Sequence, residues 1–76
     1  METTFYFRNE VLVKRPYLTA ALCEAVVRLP YRTEVQSDNR IRHWAFSTEL
    51  GKWLRVVTLA DGNTLHNAFP DRRFIP

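Results

Sequence analysis

The dipeptide Asp61-Gly62 constrains this chain more than any other feature. It lies between two runs rich in β-branched and apolar residues, Trp53–Leu59 and Thr64–Phe69. Asp-Gly in that setting is the strongest short-range hairpin signal, because a type I′ turn needs positive φ at both central residues. A two-residue loop sets the register: Thr58 opposite Leu65, Val57 opposite His66, Val56 opposite Asn67 and Leu54 opposite Phe69. Side chains alternate between sheet faces. One face then carries Leu54, Val56, Thr58, Leu65, Asn67 and Phe69. The other carries Trp53, Arg55, Val57, Leu59, Thr64, His66 and Ala68, which puts Arg55 and His66 roughly 5–8 Å apart at Cβ.

The rest of the chain predicts what this hairpin joins. Thr3–Phe7 favours a strand, Arg8-Asn9-Glu10 a turn and Val11–Val13 a second short strand. Pro16 breaks that pattern. Thr19 is a suitable N-cap, and Ala20–Leu29 reads as a helix with Leu18, Leu22, Ala25, Val26 and Leu29 as its apolar stripe. Glu24 and Arg28 sit at i,i+4 in the supportive order, and Pro30 closes the helix. Arg32–Gln36 and Arg40–Ser47 read as strands, with turns at Ser37–Asn39 and Thr48–Lys52, Gly51 supplying a positive φ. Pro70–Pro76 is a short tail tucked back onto the domain. The expectation is a single α+β domain over residues 1–76: one main helix packed on a four-stranded antiparallel meander sheet, five-stranded if the N-terminal segment adds to an edge.

Composition narrows the class. Seventy-six residues with 46% apolar content suffice for one modest core. No apolar run is long enough to span a bilayer, and the first residues lack the basic start and apolar stretch of a signal peptide. A lone cysteine, Cys23, excludes an internal disulfide, fits a reducing cytoplasm and reads as a packing residue. One Cys and two His do not make the usual tetrahedral metal set, so no metal or cofactor is expected. The net charge of +3 comes mainly from nine arginines. Arginine's planar fork matches phosphate geometry, so this usage leans toward phosphate-bearing partners, RNA among them. A solvated basic surface accounts for the same charge.

Pairing Trp44 beside Val56 and Phe46 beside Leu54 puts both aromatics in the core under the helix. The opposite, open face then collects His43, Arg55 and His66. Two imidazoles and a guanidinium suit metal-independent phosphodiester cleavage in RNA. That reaction needs a base for the 2′-OH, an acid for the leaving 5′ oxygen, and cations for the phosphorane. Arg55 is assigned to charge stabilisation, His66 to acid/base work and His43 to a second proton transfer. Arg42, Arg72 and Arg73 are assigned to backbone phosphates. The plainer readings are an Arg55 ion pair with Asp71 or Glu49, structural histidines, and Asn67 satisfying backbone groups.

The run from Asn39 to Trp44, and the longer one from Leu54 through Asp61-Gly62, Thr64, His66-Asn67-Ala68-Phe69 and Asp71-Arg72 to Phe74, resemble a group of small bacterial proteins with an RVVTLxDGxTxHNAFxDRxF-type signature. The order of a helix followed by a meander is more distantly similar to the superfamily of barnase, EndoU, colicin and RelE-type ribonucleases. That resemblance implies a toxin-like ribonuclease scaffold with its active residues on the open sheet face, Arg55 and His66 being the positions that carry over. The chain departs from RelE toxins in having few lysines and little room for a full helical N-terminus, and from barnase in having no glutamate in the final strands. The alternatives are a non-catalytic nucleic-acid- or protein-binding module, and a toxin-system or phage-related protein that acts through a protein partner.

Overall fold

The computed structural model describes residues 1–76 and has an α+β architecture with a five-stranded mixed sheet. The strands are β1 (Glu2–Thr3), β2 (Arg32–Val35), β3 (Ile41–Ser47), β4 (Lys52–Thr58) and β5 (Thr64–Pro70), in the order β1-β5-β4-β3-β2. The meander β2–β5 is antiparallel throughout, and β1 adds to β5 in parallel. Two helical segments separate β1 from β2. A π-helical turn over Phe7–Val11 runs into α1 (Leu12–Lys14), and α2 covers Ala20–Arg28.

The expected N-terminal hairpin is therefore corrected: only Glu2 and Thr3 are extended, and residues 5–14 are helical. Thr4 is the reason. Its hydroxyl accepts the Phe7 amide at 3.1 Å, so it caps the segment. Phe7 and Val11 then bury side by side on the sheet, a gain in tertiary packing that outweighs the strand preference of Thr-Phe-Tyr-Phe.

Helix α2 begins where expected, with the Thr19 hydroxyl accepting the Leu22 amide at 3.1 Å. The Glu24–Arg28 pair forms on its outer side. Its buried stripe is centred differently: Cys23 and Val26 face the core, while Leu29 is 83% exposed. Burial pushes the Cys23 thiol pKa up to about 12, which suits a packing residue. One continuous core joins Phe7, Val11, Leu18, Cys23 and Val26 to Leu54, Val56, Leu65 and Ala68 of the sheet. Both helical segments contribute to it from the same side, so the other sheet face is free of helices.

The sheet registers differ from expectation in two places. The β4–β5 loop has four residues rather than two. Gly62 donates to the Leu59 carbonyl, and only Gly62 has positive φ (66°). Asp61 stays in the ordinary region because its carboxylate accepts the amides of Asn63 and Thr64 at 2.8 and 2.9 Å. Thr58 still pairs with Leu65, but a β-bulge at His66 then moves the pairing on by one residue, so that Val57 meets Asn67 and Val56 meets Ala68. Asn67 and Phe69 thereby change faces with Ala68.

Between β3 and β4 the observed partners are Trp44 with Arg55 and Phe46 with Trp53, one residue from the expected pairing. The four-residue turn Thr48–Gly51 sets this register: Gly51 sits at φ 64°, and Ser47 accepts bonds from both Leu50 and Gly51. A one-residue slip reverses every side chain. His43 now points to the helix side, whereas Trp44 and Phe46 lie on the open face and not in the core.

Candidate nucleic-acid interface

The open face of β2–β5 is built by alternation on four strands and by the C-terminal segment lying over it. Asp71, just past β5, organises its centre. Its backbone N–H donates to Trp53, which anchors it against β4. Its Oδ2 accepts the Trp44 indole N–H at 2.9 Å and Arg55 Nε and Nη2 at 3.1 and 2.9 Å. Its Oδ1 accepts the Arg73 amide at 3.1 Å. Burial alone raises a carboxyl pKa. Here the bonds from Trp44, Arg55 and the Arg73 amide outweigh it and hold Asp71 below the usual carboxylate range.

Arg55 is fixed by more than this pair. Its guanidinium lies 4.9 Å from the Phe69 ring centroid and 5.5 Å from that of Trp44. The side chain is about a quarter exposed, and Nη1 makes no hydrogen bond within the chain. Arg55 lines two adjoining clefts. One, of about 250 Å³, holds Tyr6, Arg40, Arg55, His66 and Asn67 around Val57 and Phe69. The other, of about 270 Å³, is an arginine groove with Arg32, Arg42, Arg55 and Arg73 above Trp44 and Phe74. Together they hold five arginines against two carboxylates, Glu34 and Asp71. Asp38 also pairs with Arg40 at 3.6 Å, which leaves a net of +2 out of the chain's +3, so most of the molecule's basicity lies here.

His66 reaches the first cleft through the bulge. A regular strand at this register would point either His66 or Asn67 away; the extra residue lets both line the cleft. Its Nδ1 lies 3.0 Å from the Thr4 hydroxyl, and the Tyr6 ring tilts across the imidazole at 5.1 Å. Burial, and then the Arg40 charge, lower its pKa against a small opposing effect from Asp38. Its Nε2 makes no hydrogen bond within the chain.

The structure thus brings Arg55 and His66 together and leaves His43 on the other side of the sheet. His43 is only 6% exposed, with Nε2 3.0 Å from the Thr58 hydroxyl and Nδ1 without a partner. Burial lowers its pKa as well. Arg42 lies in the arginine groove, bonded to Glu34 and Gln36. Arg73 lines the same groove, while Arg72 lines a smaller neighbouring cleft with Lys52 and Trp53. Sequence reasoning missed Arg32, Arg40 and Tyr6. Tyr6 needed the Thr4 cap to be read as a helix start. Arg40 needed the turn at Asn39, whose φ of 69° leads into β3.

No cluster of His, Cys, Asp or Glu has the make-up of a metal site, and no helix is long and apolar enough to cross a membrane. No protein-family model, curated protein or solved structure matches the chain.

Proposed function

We propose that this protein acts on RNA as a small metal-independent ribonuclease, with its site in the cleft shared by Arg55 and His66. One observation carries the reading. An imidazole with an unengaged Nε2 and an arginine with an uncommitted Nη1 line the same polar cleft beside a concentrated positive charge. In the proposed step, His66 Nε2 takes the proton of a ribose 2′-OH. The 2′ oxygen then bonds to the adjacent phosphorus and the bond to the 5′ oxygen breaks, leaving a 2′,3′-cyclic phosphate and a 5′-hydroxyl. Arg55 and Arg40 stabilise the charge on the phosphoryl oxygens. Asp71 acts as a positioning residue that fixes the Arg55 fork. Tyr6, in the same cleft, carries a hydroxyl able to protonate the leaving oxygen.

A second reading is a non-catalytic RNA-binding module. It is favoured by the Asp71–Arg55 ion pair and by the presence of one imidazole in the cleft instead of two. Incubation of labelled single-stranded RNA with purified protein in a chelator separates the two. Cleavage that leaves cyclic phosphate ends and falls on the order of a hundredfold in His66→Gln supports the enzyme. RNA that is bound but uncut supports the module. RNA neither bound nor cut contradicts both.

A further inference from the structure

The residues beyond Asp71 cross the open face without joining the sheet, and one of them fills a slot. The Phe74 ring lies 5.1 Å from Trp44 at an interplanar angle of 18°, a stacked arrangement. It lies 4.9 Å from Trp53, and Tyr31 meets it edge-on at 6.2 Å. The Arg32 guanidinium sits 4.9 Å from the same ring. The backbone is held far less firmly. Phe74 N–H reaches the Asp71 carbonyl at 3.4 Å, and Arg32 reaches the Ile75 carbonyl at 3.3 Å. Asp71, in contrast, is anchored to the sheet by its own amide and by three side-chain bonds from Trp44 and Arg55, and it holds the Arg73 amide in turn. The chain beyond Arg73 is thus held by two long hydrogen bonds, close after a fixed point.

An aromatic ring stacked on an indole, with arginines around it, has the surroundings that a nucleobase and its phosphate require. We propose that Phe74 occupies a base-binding subsite for single-stranded RNA, and that a base stacks on Trp44 when residues 74–76 swing aside. The inference rests on the RNA reading and extends it. Arg55 lines both clefts, so a strand whose scissile phosphate sits at Arg55 and His66 continues past it into this groove. Arg32, Arg42 and Arg73 hold the neighbouring phosphate, and Asp71 stays in place. Paired RNA cannot use the slot, because its bases are stacked within the duplex. Phe74 therefore competes with substrate and sets the affinity of the resting protein.

The test compares the full chain with Phe74→Ala and with Phe74→Leu, the latter retaining apolar filling if alanine costs the fold. Fluorescence anisotropy reads binding of a short single-stranded RNA, a duplex of the same length and free AMP, and circular dichroism checks folding. Freeing one stacking position should tighten single-strand binding on the order of tenfold in Phe74→Ala. The gain should be smaller in Phe74→Leu and absent for the duplex. Quenching of Trp44 and Trp53 fluorescence should accompany it. Folded variants that bind the strand no better than the parent overturn the subsite and leave the RNA reading standing. A gain for AMP without one for the strand overturns the assignment to a strand. Failure of every folded protein to bind RNA overturns the RNA reading and this inference with it.

Discussion

Replacing Asp71 with alanine tests the node on which the open face depends. The side chain is 7% exposed, and its carboxylate accepts from the Trp44 indole, from two Arg55 nitrogens and from the Arg73 amide. Its loss leaves the buried indole N–H without an acceptor, which costs about 1–3 kcal/mol. It also leaves Arg55 unpaired. A fully buried partner would add about 3–5 kcal/mol, but Arg55 is 24% exposed and regains water, so about 1 kcal/mol is the appropriate share. The total comes to about 3 kcal/mol, a large part of the stability of so small a domain. For this chain length it corresponds to a fall in Tm of roughly 12–24 °C. Asp71→Asn preserves volume and one acceptor for Trp44 and should cost about half as much. Urea denaturation followed by tryptophan fluorescence measures both. A loss below about 1 kcal/mol in Asp71→Ala would refute the reasoning, since Trp44 and Arg55 would then have other partners.

Two pH dependences follow. The folded state depresses the pKa of both histidines. Below their unfolded value of about 6.5 the unfolded chain binds more protons, so stability is full above that pH and falls as pH drops below it. Urea midpoints between about pH 7.5 and about pH 5.5 should decline, and His43→Leu should flatten that slope. Asp71 is likewise depressed, so its contribution is present above its unfolded value and is lost as pH falls through the folded one. An acid melt of Asp71→Asn should lack that component.

How much could be read in advance depended on whether the cause was local. Helix α2 was legible because Thr19, Pro30 and the Glu24–Arg28 pair all lie within it. The Asp61-Gly62 hairpin was legible as a hairpin for the same reason. Its faces were not, because the bulge at His66 is fixed by how β5 meets β4, and β1 with the Thr4 hydroxyl packs against that place. The helix at residues 5–14 was missed because its stabilisation comes from burying Phe7 and Val11 on a distant sheet. Two errors of one residue had opposite consequences. The slip at β3 removed His43 from the site, while the bulge kept His66 in it and brought Asn67 along. The Arg55–Asp71 pair, one of the plainer readings of the sequence, is present and forms the frame of the site.

The central claim is that a phosphate binds between Arg55 and His66. NMR titration of the two imidazoles tests it directly, with and without a 2′-O-methyl oligoribonucleotide that cannot be cleaved. A bound phosphate favours the imidazolium, so the His66 pKa should rise when the strand is added, while His43, on the far face of the sheet, should keep its value. An unchanged His66, or equal shifts at both histidines, would contradict the account.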